Sequence, residues 1–312
     1  MNKKIKICFM GTPEFGANVL KKLIENYTVV LVVTQPDKKG KRGSELLFSP
    51  VKELALSYDL PIFQPEDIRN DFNMMKEYDF DFLVTAAYGQ FIPLDVLHLA
   101  HFLTLNVHGS LLPKYRGGAP IQRAIEAGDK YLGVTIMRTI LKMDAGVMFK
   151  QSKILLEDDD TFATMIEKLS KKGAEDLLEV IDKFYSGEEI EGIHQNVDEI
   201  SFAYNIKKEE CLLDFNSDAL TLHNKIRAFN PNPLTFFNYK SESYKVYKSE
   251  VIENDDLVSP GTIIDNNKKL VIKCMKNALS IKEIQSPGKK AMDISSFLNG
   301  KRDLFKIGEI IR

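Results

Sequence analysis

The chain has 312 residues, 44% of them hydrophobic and 28% charged, with a formal net charge of -2. That length exceeds the usual size of one hydrophobic core and predicts two domains. No apolar run reaches the roughly 18 residues that cross a bilayer, and Cys8, Cys211 and Cys274 stand too far apart for a disulfide framework or a metal-ligand spacing, so each reads as a packed thiol. Charge is uneven: residues 201–312 carry 18 Lys and Arg against 14 Asp and Glu, which permits an anionic partner at that end without demanding one.

The start reads as a first strand, Ile5–Met10. Basic residues ahead of Ile5 imitate a signal peptide, but Lys6 interrupts the apolar run and Gly11-Thr12-Pro13 stops it, so a cytoplasmic location is expected. Gly11-Thr12-Pro13-Glu14-Phe15-Gly16 then leads into an amphipathic helix through Val19, Leu20, Leu23 and Ile24. This turn has neither a Gly-x-Gly-x-x-Gly nor a P-loop pattern. It reads as a tight strand-to-helix connection at the border of a ligand cleft.

Tyr27–Val33 is uniformly apolar, as a parallel strand covered on both faces should be. Helix over Pro50–Tyr58, strand at Ile62–Phe63, helix near Phe72–Tyr78, strand at Phe82–Ala86 and helix at Leu94–Leu99 follow. Thr104–Val107 is the next strand and Ile121–Ala127 a helix. Val134–Met137 opens a strand section that reaches Phe149 through a turn at Asp144-Ala145-Gly146. These alternating units predict a twisted, mainly parallel α/β sheet with helices on both faces. Thr161–Val180 is a long packed helix, and the polar stretch after Tyr185-Ser186-Gly187 is the candidate linker. Beyond it come a helix over Ser217–Phe229 and strand-sized segments at Leu234–Tyr239, Tyr244–Val251, Gly261–Asp265, Leu270–Cys274 and Ala278–Gln285. They predict a small antiparallel barrel.

The densest chemistry lies in the run from Asn106 to Gln122. Asn106 and His108, two apart, project to one side of an extended strand, and strand carboxyl ends are where α/β proteins bind ligands. The plain alternative is a turn after a buried strand, with His108 a satisfied core histidine. A second feature is the loop Thr34–Gly43, in which Lys38, Lys39, Lys41 and Arg42 put four cations within five positions. It suits an arm that orders against a polyanion, with salt-sensitive binding; a solvated turn is the alternative.

Taken together, these segments resemble the methionyl-tRNA formyltransferase family across essentially the whole chain. The likeness rests on Gly11-Thr12-Pro13-Glu14-Phe15, Thr34-Gln35-Pro36-Asp37, Ser49-Pro50-Val51-Lys52, Tyr88-Gly89, the 106–122 run, Gly133-Val134-Thr135-Ile136-Met137, Arg227-Ala228-Phe229-Asn230-Pro231 and Pro287-Gly288-Lys289-Lys290-Ala291-Met292. The Asn-x-His-x-Ser-Leu-Leu-Pro core is shared with related formyltransferases and formyltetrahydrofolate hydrolases. The basic loop and the C-terminal motifs favour the tRNA enzyme.

The resemblance implies a Rossmann-like formyltransferase domain over residues 1–189, a linker over 190–206 and an OB-like barrel over 207–312. It implies transfer from 10-formyltetrahydrofolate to initiator methionyl-tRNA, with no metal, no membrane and no stable protein partner. Asn106, His108 and Asp144 fall at the positions of the family's catalytic residues. Folate is expected against Ala86, Tyr88, Gly89, Gln90, Phe91, Ile92, Ser110, Leu111, Leu112 and Pro113, and tRNA against Lys38, Lys39, Lys41 and Arg42, with Ser110 also expected to support its loop.

The chain departs from the family pattern at Ala145 and Val147, which follow Asp144 where many relatives have Thr and Asp, and at Asn232, where Trp is common. An amino-sugar formyltransferase using the same three residues, or an RNA-binding module on an inactive scaffold, are the competing functions.

Overall fold

The computed structural model describes residues 4–40, 46–301 and 303–311. Backbone contacts divide the chain into two compact units, Met1–Pro120 with Tyr131–Leu155 and Ile166–Tyr204, and Ile121–Lys130 with Leu156–Met165 and Asn205–Arg312.

In chain order the first elements are β1 (Lys6–Gly11), α1 (Glu14–Asn26), β2 (Thr28–Val33), β3 (Lys38–Lys39), β4 (Leu46–Leu47), α2 (Pro50–Ser57), β5 (Ile62–Phe63), β6 (Phe82–Ala86), α3 (Leu94–Leu97), β7 (Leu103–His108), α4 (Pro120–Glu126), β8 (Tyr131–Arg138), β9 (Met148–Leu155) and α5 (Phe162–Ser186). The segment expected to be helical near residue 75 forms a 3₁₀ turn, Asn73–Glu77.

The main sheet has seven strands in the order β5-β2-β1-β6-β7-β8-β9. The first five run parallel, while β8 and β9 add antiparallel at one edge. The apolar strands explain its burial. Cys8, Met10, Leu31, Val33 and Leu83 pack with Val96, Met75 and Tyr88, and the equally buried Ile7, Phe9 and Val32 alternate with them. By the two-residue period of a strand they face the other side.

On β7 this alternation separates structure from chemistry. A Cβ on Gly173 of α5 would lie 2.7 Å from Val107 Cγ1 and 2.8 Å from Val134 Cγ2, so α5 lies directly against that face of the sheet. Asn106 and His108 therefore project to the opposite face.

The second unit contains α6 (Ala219–Ala228), β10 (Thr235–Tyr239), β11 (Glu242–Ile252), β12 (Ile263–Asp265), β13 (Leu270–Lys273), β14 (Ala278–Gln285), β15 (Met292–Asp293) and α7 (Ile294–Gly300). Its strands form an antiparallel sheet in the order β10-β11-β14-β13-β12, with β15 added to β14. Register shifts between Val246 and Ser249 mark bulges, which bend a strand. The sheet curls as an OB-like half-barrel around Phe237, Tyr244, Ile272, Ile281 and Phe305. All three cysteines are free and buried, and burial pushes the Cys274 thiol up to about 12. Among the described residues no helix is long and apolar enough to cross a membrane.

Candidate active site

Because β1, β2, β6 and β7 run parallel, their carboxyl ends lie along one edge of the sheet. Thr12, Gln35, the residues after Ala86 and the residues after His108 therefore gather there. The connections are specific. Thr12 Oγ1 and Gln35 Nε2 both donate to the Tyr88 carbonyl, at 2.9 and 3.0 Å. A Cβ on Gly11 or on Gly16 would sit 2.8 Å from the Ala86 carbonyl oxygen, so both glycines are required by close backbone approach.

At the end of β7, His108 is 5% exposed. Its Nε2 lies 3.0 Å from the Tyr115 carbonyl oxygen. Since a carbonyl only accepts, Nε2 carries a proton. Its Nδ1 faces Asp144 Oδ1 at 3.7 Å, wider than a hydrogen bond. Asp144 Oδ2 accepts from the Gly117 backbone N–H at 2.8 Å. Asn106 pairs in register with Thr85 of β6, and Thr85 Oγ1 donates to Asn106 Oδ1 at 2.9 Å. That bond directs the Asn106 Nδ2 donors away from Thr85.

The run after His108 is held from both sides. Thr135 Oγ1 donates to the Ser110 carbonyl at 2.7 Å and accepts from the Leu112 N–H at 3.2 Å. Gln151 Nε2 donates to the Leu112 carbonyl at 2.8 Å. The buried Ser110 donates through Oγ to the Lys114 carbonyl at 2.7 Å, Leu111 covers Gly133, and Leu112 packs with Met137 and Met148. Pro113 is buried.

In the neighbouring loop, Tyr88 is a core residue, and burial pushes its phenol upward. Gln90 spends its side chain on the Ile68 N–H, at 2.9 Å, and on the Pro65 carbonyl, at 3.2 Å. Gly89, at φ +87°, and Phe91 are exposed, and Ile92 is half-buried.

Further residues at this edge were given no role by the sequence. Arg116, 4% exposed, donates from Nε and Nη2 to Gln195 Oε1 at 3.0 and 2.6 Å. Burial lowers its guanidinium and the nearby Asp144 charge opposes that shift. Ser201 Oγ accepts from the Tyr115 N–H at 2.9 Å. Gln195 and Ser201 lie in the polar stretch read as linker, where composition alone marks nothing.

Lys38 and Lys39 form exposed β3, paired with Leu47 and Leu46; Lys41 and Arg42 lie outside the described residues. The base of this hairpin is fixed. Asp37 binds Lys52 Nζ at 2.5 Å and Gln64 Nε2 at 2.9 Å, and these bonds, Lys52 first, hold its carboxyl below the usual carboxylate range.

Residues 3–181 match the formyl transferase family and residues 205–302 match the formyl transferase C-terminal domain. A methionyl-tRNA formyltransferase of Lactococcus lactis is 43% identical over 98% of this chain and 98% of its own length. The chain belongs to the methionyl-tRNA formyltransferase family. Among solved structures, the sugar 3N-formyl transferase WlaRD, crystallised in the presence of dTDP and 5-N-formyl-THF, matches at a TM-score of 0.65 and 19% identity, over 92% of this chain and 99% of that one. HypX from Aquifex aeolicus in complex with tetrahydrofolic acid matches at 0.64 and 15% identity over 98% of this chain, which spans 50% of HypX. At such identities the likeness concerns the fold.

Proposed function

We propose that this formyltransferase moves the formyl group of 10-formyltetrahydrofolate to the free amino group of methionyl-initiator-tRNA, with Asn106, His108 and Asp144 as its catalytic residues. Full-length identity to a methionyl-tRNA formyltransferase carries the substrate assignment. The approach of His108 to Asp144 beside Asn106 supports the residue assignment. The division into a catalytic domain over 1–189, a linker over 190–206 and a tRNA-binding domain over 207–312, and a cytoplasmic location, belong to the same reading.

The residues present fit the folate. The backbone N–H groups of Gly89 and Phe91 have no protein partner among the described residues, so they can recognise a polar heterocycle edge. Ala86, Tyr88, Gln90 and Ile92 shape that loop, and Ser110, Leu111, Leu112 and Pro113 shape the facing one. When bound, 10-formyltetrahydrofolate supplies the formyl carbon, and its N10 leaves.

One proton moves net from the attacking nitrogen to N10. Asn106 Nδ2 donates to the formyl oxygen as that oxygen gains charge. Asp144 takes the proton released by the amine, and His108, whose Nε2 proton stays on the Tyr115 carbonyl, passes it through Nδ1, the nitrogen facing Asp144, to the leaving N10. No covalent formyl-enzyme is required. Lys38, Lys39, Lys41 and Arg42 attract the acceptor end. The deciding assay offers charged initiator tRNA, a nucleotide-linked amino sugar and glycinamide ribonucleotide, each with 10-formyltetrahydrofolate. Preferential formylation of the amino sugar would overturn the assignment, and tRNA binding without transfer would favour an inactive scaffold.

A further inference from the structure

The geometry points to Gln195 as a positioning residue that sets the Asp144 carboxylate against His108. The inference rests on the catalytic role proposed for Asp144.

Asp144 adopts φ +47°, a left-handed conformation that is uncommon among non-glycine residues although aspartate enters it more readily than most. Gln195 holds the turn in it. Its Nε2 donates to the Asp144 carbonyl and to the Gly146 carbonyl, each at 2.8 Å, so one amide group clamps both sides of the turn. Its Oε1 takes both Arg116 donors. Reversing the amide would set its oxygen against two carbonyl oxygens and its hydrogens against a guanidinium, so its orientation is determined.

The clamp also links the two sides of the imidazole. Arg116 directly follows Tyr115, whose carbonyl faces His108 Nε2, while His108 Nδ1 faces Asp144. A ring of contacts therefore runs from His108 through Tyr115, Arg116, Gln195 and Asp144 and back to His108. Gln195 joins the segment that fixes one imidazole nitrogen to the turn that carries the group facing the other.

The backbone around Gln195 is anchored independently of its side chain. Ile193 exchanges two backbone hydrogen bonds with Met148, at 2.9 and 2.8 Å, and Ala203 pairs with the Arg116 carbonyl at 2.7 Å. Variants that alter only the side chain should therefore fold.

The test compares wild type, Gln195→Leu, Gln195→Glu and Asp144→Asn in steady-state formyl transfer to charged initiator tRNA, with thermal melts in parallel. A glutamate still accepts both Arg116 bonds but offers the two carbonyls no donor. Gln195→Glu sets a carboxylate oxygen against the two carbonyls, so it should fold and melt somewhat below wild type while losing kcat about 10- to 100-fold, as small misplacements of catalytic groups do. KM for tRNA and for folate should stay within about twofold. Gln195→Leu should lose at least as much kcat.

Wild-type kcat in Gln195→Glu, with Asp144→Asn slow, would overturn the inference alone, because Gln195 would then serve only Arg116. A loss expressed in KM with kcat unchanged would overturn it equally. Wild-type turnover in Asp144→Asn would overturn the Asp144 assignment and this inference with it.

Discussion

Thr85 and Asn106 face each other across the parallel strands β6 and β7, and the Thr85 hydroxyl donates to Asn106 Oδ1 at 2.9 Å. With the oxygen engaged by Thr85, the Nδ2 donors have no partner among the described residues. Thr85→Val keeps the shape and removes the hydroxyl, so Asn106 loses its orientation. Turnover should fall about tenfold in Thr85→Val and about 10²- to 10³-fold in Asn106→Ala, the latter being the cost of a lost oxyanion donor. The double variant should be no slower than Asn106→Ala, since both act through one group. Additive losses in single-turnover rates would show that Thr85 acts elsewhere.

His108→Ala should fold and lose about 10²- to 10³-fold in single-turnover transfer, the scale of a positioned proton-transfer group. The cavity left by the ring lies at a strand end, so the melting temperature should drop by only a few degrees, about 1–2 kcal/mol. Near-wild-type transfer would remove His108 from the catalytic role.

Local pattern accounts for how much was readable beforehand. The strand runs are apolar because their strands are covered, and Ile62–Phe63, Phe82–Ala86 and Ala278–Gln285 have the expected bounds. The pairing of Asn106 with His108 is also local, because two residues apart on a strand means one face. Asp144 entered only through the family likeness, since its approach to His108 depends on β8 folding back antiparallel beside β7. Gln195 and Ser201 were invisible because their partners lie far away in sequence and hydrogen bonds leave no periodicity. The same holds in reverse for Gln90: nothing in its neighbourhood revealed that its amide would be occupied by Ile68 and Pro65.

The second unit should show a histidine-dependent stability. His223 on α6 is held below the usual histidine range, first by burial and then by the Arg227 charge, against opposing contributions from Asp158 and Glu250. With the folded value below the unfolded one, falling pH protonates the unfolded chain first. Stability is therefore full above the unfolded value of 6.5 and declines as pH falls through it. Calorimetry from about pH 7.5 to about pH 5.5 should show the melting temperature of this unit falling in wild type, with a flatter profile in His223→Gln. Equal slopes in both proteins would locate the sensitivity elsewhere.

Gly146 closes the Asp144 turn where no side chain fits, since a Cβ would lie 1.8 Å from the Arg138 carbonyl oxygen. A backbone contact cannot be relieved by a rotamer change, so Gly146→Ala must move the turn. It should destabilise the protein by about 1–3 kcal/mol and reduce kcat more than KM, because the displaced group is Asp144. A variant with wild-type kcat and melting temperature would show that the turn tolerates the shift.

The basic hairpin should account for much of the salt dependence of tRNA association. Lys38 and Lys39 are exposed on β3, opposite the exposed Leu46 and Leu47, and Lys41 and Arg42 follow in the sequence. The hairpin's base is anchored by Asp37 to Lys52 and Gln64, and by Gln35 to the Tyr88 carbonyl in the loop proposed for folate. A fixed base beside the exposed Lys38 and Lys39 delivers their charge to a set place. Each phosphate neutralised contributes roughly 0.7–0.9 to the slope of log affinity against log salt. Replacing all four with alanine should therefore flatten that slope by up to about 3 and leave folate binding unchanged. Arg42→Ala alone should weaken productive tRNA use more than any single lysine change, because its planar fork can hold a phosphate or a base edge in two bonds at once. An unchanged slope, affinity and single-turnover rate in the fourfold variant would mean that the hairpin does not engage the tRNA.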